Sequence, residues 1–221
     1  MRNYAYAANA VPRVEVNKLI RNTYLLLSMT LLFSAATATF AVFTRAPVLS
    51  SWLVLIVSMG LLFVTHSLRN SSAGLVSVFA LTGFLGYTLG PIIGLYLRLP
   101  NGGQIVATAM GGTGAIFLGL SFYALTTRKD FSFMGGFLMV GIITAILGSL
   151  AALFFQIPAL SLAVSGMIVL LMSGYILYDT SAMIHGGIDN YIVATINLYL
   201  NIYNLFLSLL QILGMGFGSD D

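Results

Sequence analysis

Cysteine is absent from this chain, and charge is scarce: only 7% of its 221 residues are Asp, Glu, Lys or Arg. The first absence excludes disulfides, thiolate nucleophiles and Cys-ligated metals. The second excludes an ordinary water-soluble globule, in which about a quarter of the residues are charged. Too few charges remain to build a nucleic-acid-binding patch, so the formal net charge of +3 carries no such implication and no nucleic-acid partner is expected. What fills the chain is apolar: 59% of residues are hydrophobic and the mean hydropathy is +0.99. At about 20 apolar residues per crossing, this length has room for roughly six to eight transmembrane helices and for no separate soluble domain.

Seven apolar runs can be traced, over residues 22–43, 50–66, 73–97, 104–125, 131–155, 159–184 and 191–213. Charged or Pro/Gly punctuation separates them, as in Arg45-Ala46-Pro47, Arg69-Asn70, Arg128-Lys129-Asp130 and Gln156-Ile157-Pro158. At about 1.5 Å per residue each run crosses, or very nearly crosses, a hydrocarbon core of about 30 Å. Backbone polar groups cannot stay unpaired in lipid, and runs this long are helices rather than barrel strands. The expected fold is an all-α integral membrane protein of seven transmembrane helices over residues 22–213. A tail over residues 1–21 precedes them and a short acidic tail over residues 214–221 follows. A cleavable signal would place an apolar core in the first tail; none is there, so that tail is expected to be retained.

Lys and Arg set the expected orientation. Arg2, Arg13, Lys18, Arg21, Arg69, Arg128 and Lys129 fall on one side and only Arg45 and Arg98 on the other, which places the N-terminus in the cytoplasm. Seven crossings then put Asp220 and Asp221 outside. Gly86, Gly90 and Gly94, four apart on the third helix, form a small-residue stripe suited to close helix approach, and Pro91 is expected to kink that helix. Gly111, Gly112, Gly114 and Gly119 are expected to loosen the fourth helix; ordinary packing and a moving hinge both fit these glycines.

Polar groups at membrane depth are costly and therefore informative. Asn197, Asn201, Asn204, Ser208 and Gln211 are spaced four, three, four and three apart, so all five share one face of the seventh helix. Such a face looks into the bundle or a wetted cavity. Interhelical hydrogen bonding, at about 0.6 kcal/mol per contact, and a hydrophilic path are both open readings. Most acidic residues sit in tails or loops. Asp179 does not: it lies about four to six residues before the sixth helix ends near His185, roughly 6 to 9 Å inside. Asn201 lies about ten residues into the seventh helix, roughly 15 Å along it, and helix tilt can bring the two level. Burial disfavours the charged carboxylate unless a cation or several donors face it. His66, Arg69 and His185 are the candidate cationic partners, and gaining or losing one would make a gate. A locally satisfied Asp at a helix end is the plainer alternative. The two histidines form no spaced zinc motif, and no metal or cofactor is expected.

Catalysis is not expected either. Tyr178-Asp179 resembles half of the presenilin-like aspartyl protease signature, but that chemistry needs a second carboxylate. Gly186-Gly187-Ile188-Asp189 misses the required spacing and lies in a loop. Ser165 and Ser173 each precede a glycine but have no evident base.

Several segments in order resemble a known family. They are Thr82-Gly83-Phe84-Leu85-Gly86-Tyr87-Thr88-Leu89-Gly90-Pro91-Ile92, then Leu125-Thr126-Thr127-Arg128-Lys129-Asp130, then Asn197-Leu198-Tyr199-Leu200-Asn201-Ile202-Tyr203-Asn204. Together they look like the Bax inhibitor-1 family, with His185-Gly186-Gly187 and Asn190-Tyr191-Ile192 resembling its bacterial YccA branch. The resemblance runs from the first helix onward and implies six helices around a central seventh. It also implies one of two functions. One is modulation of the inner-membrane protease FtsH by a poorly degraded substrate, for which residues 1–18 offer a handle, since exposed termini are where proteases engage. The other is a pH-sensitive calcium leak gated by a pair of aspartates. Asp179 matches the first of that pair, but Asn201 stands where the second belongs, which removes the like-charge coupling and one of two negative charges for a hard cation. Asn197 and Asn204 would flank such a path.

Overall fold

A computed structural model of the chain describes residues 13–216. It consists of seven helices: α1 (Arg13–Phe43), α2 (Ser51–Leu68), α3 (Ser72–Tyr96), α4 (Gly102–Thr127), α5 (Gly135–Phe155), α6 (Pro158–His185) and α7 (Tyr191–Gly216). A single 3-10 turn (Ser132–Met134) leads into α5. All seven are long and apolar enough to cross a membrane. Six match the expected runs to within a few residues. The first does not: α1 begins at Arg13, nine residues before the expected start at 22. Its first turn holds Glu15, whose charge suits a helix N-terminus. At 31 residues, α1 is longer than an apolar core of about 30 Å requires, and its polar first turns form a stem ahead of the apolar run. Arg2 and the acidic pair Asp220 and Asp221 lie outside the described residues.

Local chemistry explains where helices stop and start. Ser50 caps α2 by accepting the backbone N–H of Leu53 at 3.3 Å. Pro158 opens α6, where its missing N–H costs nothing. Gly186 ends α6 in the left-handed conformation at φ 81°, and the Gly187 N–H closes the turn on Ala182 O at 2.8 Å. Asn190 caps α7, its Oδ1 accepting from Ile192 N at 2.9 Å and Val193 N at 3.2 Å. Pro91 lies inside α3, which runs unbroken across it.

α7 is the most deeply buried helix and packs against α1, α3, α4 and α6. α7 thus has four close neighbours rather than the six implied by the resemblance, with α2 leaning on α3 and α5 on α6. The α1–α3 seam depends on two of the expected glycines. A Cβ at Gly86 would fall 2.3 Å from Ser34 O, and one at Gly90 would fall 2.4 Å from Ala41 Cβ and 2.7 Å from Ala38 O. Gly94 has nothing within 4 Å, nor do Gly111, Gly114 and Gly119, and Gly112 meets only Leu209 at 3.5 Å. The close-approach stripe is thus two residues long, and none of these four α4 glycines sits at a contact too tight for a Cβ.

Loops at the end that carries the α1 stem are tied together. Asn190 donates to Arg69 O at 3.0 Å and to Asn70 Oδ1 at 2.9 Å. Ser181 on α6 accepts from Phe131 N at 3.0 Å and donates to Lys129 O at 3.1 Å, pinning the α4–α5 loop over α6. In that loop Asp130 accepts the Ser132 N–H at 2.8 Å. This backbone hydrogen bond, chiefly, holds its exposed carboxyl below the ordinary carboxylate value of 3.8.

Candidate functional site

α6 and α7 place their polar residues against each other. Asp179, 5% exposed, sits six residues before the end of α6. Its Oδ2 accepts from Asn201 Nδ2 at 2.7 Å and its Oδ1 from Asn197 Nδ2 at 3.4 Å. Asn197 and Asn201, one helical turn apart, therefore close on the two oxygens of one carboxyl group. The depth difference inferred from the sequence is absorbed by the packing, and the pair meets directly. Asn204 does not join them. Its amide donates to Leu200 O at 2.8 Å in its own helix, and its side chain faces outward from the clamp.

The expected cationic partners lie elsewhere. Exposed His66 faces Arg69, with Nε2 and the guanidinium 3.3 Å apart. His185 is exposed, its Nδ1 2.9 Å from Ser181 O. Among the described residues Asp179 forms no ion pair, and neutral amides face it in place of the candidate cations. The reason is rotational: His185 lies six residues after Asp179 on α6, more than one and a half turns on, and projects to a different face at about 100° per residue.

On the opposite flank of α7, a set of hydroxyls escaped the sequence reading. Tyr199, 1% exposed, meets Ser34 Oγ of α1 at 2.7 Å and donates to Thr82 O of α3 at 3.2 Å. It stacks on Tyr203 with ring centroids 6.2 Å apart, and Tyr203 reaches Thr88 at 3.3 Å. Their spacing of four was the available signal, hidden because tyrosine also reads as plain membrane-helix bulk. Ser181 was missed too, for a serine beside Asp179 looks like any small polar residue until the loop docks on it.

Further along the stripe, Gln211 links α7 to α6: its Nε2 donates to Ser161 Oγ at 2.6 Å and its Oε1 accepts from Ser165 Oγ at 2.8 Å. Between α5, α6 and this half of α7 lies a cavity of about 610 Å³, broadly open to the outside of the bundle, and Asn204, Ser208 and Gln211 line it. The polar stripe thus divides into a half that clamps Asp179 and a half that faces a cavity near the α5–α6 loop. No group of three or more His, Cys, Asp or Glu able to hold a metal ion occurs among the described residues.

Known proteins are similar to this chain in sequence along almost its whole length. The Escherichia coli K12 protein named Modulator of FtsH protease YccA is 50% identical, covering 91% of each chain. An uncharacterised protein of Pseudomonas aeruginosa is 54% identical over 93% of each chain, and an uncharacterised membrane protein of Vibrio cholerae 47% identical over 91% of each. The model of the family described as "Inhibitor of apoptosis-promoting Bax1" matches residues 16–218, which takes in all seven helices but the first three residues of α1. The chain belongs to this family, the Bax inhibitor-1 family of membrane proteins.

Proposed function

We propose that this chain modulates the membrane protease FtsH as a slowly degraded substrate that occupies it. The observation carrying this is the 50% identity, over 91% of each chain, to the protein named Modulator of FtsH protease YccA. The reading places the chain in the bacterial inner membrane, with the N-terminus cytoplasmic and the C-terminus periplasmic, and assigns it no catalysis and no cofactor. The packing supplies a physical reason for slow degradation. A protease engaging the residues that precede α1 must first withdraw α1 from the bundle. That withdrawal breaks the close seam at Gly86 and Gly90 and the buried Ser34–Tyr199 hydrogen bond. Resistance of this kind is kinetic, set by the barrier to opening. The test removes residues 2–12 and leaves the α1 helix whole. With the full chain present, FtsH turnover of a second membrane substrate slows; without residues 2–12 the slowing disappears. Slowing that persists after the deletion rejects the handle.

A second reading, a cation leak gated around Asp179, is favoured by the buried carboxylate that Asn197 and Asn201 hold inside the bundle. Reconstituted vesicles test it. Calcium flux falls in Asp179→Ala, and Asn201→Asp makes flux steeper with pH, because two carboxylates at that distance titrate as a coupled pair. Flux unchanged in Asp179→Ala removes this residue from any gate.

A further inference from the structure

The cavity between α5, α6 and α7 has the construction of a ligand site. Its volume of about 610 Å³ lies within the range of about 300–1,000 Å³ of small-molecule pockets, which are mainly apolar with a few placed polar groups. Leu153, Ile168 and Leu207 supply apolar wall. On its polar side, Gln211, Ser161 and Ser165 satisfy one another and so hold α6 to α7 without needing a ligand. Two groups on the same face of α7 are left over. Ser208 is 5% exposed and lines the cavity, and its hydroxyl has no partner among the described residues. Asn204 lines the same space, and with its amide N–H donating to Leu200 O its Oδ1 remains an acceptor. The Ser208 hydroxyl is not one of the sealed, unpartnered polar atoms of the interior, so it is reachable from the cavity and open to a hydrogen bond from a group placed there.

The chemistry of that group follows from the lining. No Asp, Glu, Lys, Arg or His lines the cavity, so an ion entering it would lose hydration without gaining a counter-charge. Ser208 donates and accepts while Asn204 Oδ1 only accepts, which suits a hydroxyl-bearing partner. The gap between α5 and α7 leaves apolar wall for a chain attached to it. We propose that this cavity binds the uncharged, hydroxyl-bearing head of an amphiphile of the glycerol monoester type, with its hydroxyls on Ser208 and Asn204 and its apolar part along Leu153 and Leu207. The inference is independent of protease modulation, and with a leak gated around Asp179 it shares only Asn204.

Native mass spectrometry of the full chain, with monooleoylglycerol as probe, tests this. Saturable one-to-one binding is expected in the wild type. Ser208→Ala should weaken it about five- to tenfold, the loss of one hydrogen bond, and Ala152→Phe, which fills the cavity from α5, should abolish it. An unchanged thermal midpoint establishes that each variant is folded; if Ala152→Phe does not fold, Ser208→Ala decides alone. Competition by free glycerol would assign the head group to a soluble polyol, and failure to compete would assign it to a membrane amphiphile; both keep the site. Three outcomes overturn it: no saturable binding in the wild type, equal binding in all three proteins, or calcium or oleate held in preference and lost in Ser208→Ala.

Discussion

A carboxyl group inside a helical bundle keeps its place only while its lone pairs are occupied, and Asn201 and Asn197 do this for Asp179. Removing either side of the 2.7 Å contact strands the other. Asn201→Ala and Asp179→Ala should each destabilise the protein by about 1–3 kcal/mol. In a double-mutant cycle the two should couple by about 1–2 kcal/mol, read from thermal unfolding in detergent; a coupling near zero would deny the contact. Asp130 shows the same logic in water. Its exposed carboxyl is stabilised in the charged form, chiefly by the Ser132 N–H. A depressed native value means that this contribution is complete above the ordinary value of 3.8 and fades as pH falls through the native one. The thermal midpoints of wild type and Asp130→Asn should therefore differ at pH 7 and converge below about pH 4.

At the α1–α3 seam, space rather than hydrogen bonding decides what a substitution does. Gly86 and Gly94 occupy equivalent places in the sequence stripe, yet only Gly86 is covered by α1. Gly86→Ala should cost about 1–3 kcal/mol by forcing α1 away from α3, and should speed degradation by FtsH if withdrawal of α1 limits the rate. Gly94→Ala should leave the thermal midpoint unchanged or raise it, since alanine is about 1 kcal/mol the better helix former in open space. Gln156, which ends α5 at φ 51°, sits in a region that costs a side-chain-bearing residue about 1–2 kcal/mol. Gln156→Gly should raise the midpoint of the same unfolding curve.

For the molecule as a whole, orientation rests on charge and burial on the placement of α7. A reporter that is active only outside the cytoplasm should work when fused after residue 216 and fail when fused before residue 13, as the seven-to-two division of Lys and Arg requires. The number of helices, six of their seven starts and the polar face of α7 were legible in the sequence. Lipid offers the backbone no partner and the side chains no water, so each crossing must be a long apolar helix and each polar departure stands out. The start of α1 was not legible, because its first turns lie beyond the apolar run where ordinary polar residues read equally as tail or helix. Nor was the partner of Asp179. Sequence gave its depth, but whether amides or a histidine faced it depended on how α6 is rotated against α7, which periodicity within one helix does not report. The cavity is further removed still. It exists because α5 leans on α6 and leaves a gap beside α7. Spacing along one chain defines a helix and its faces; only packing between helices decides which faces meet and which are left open.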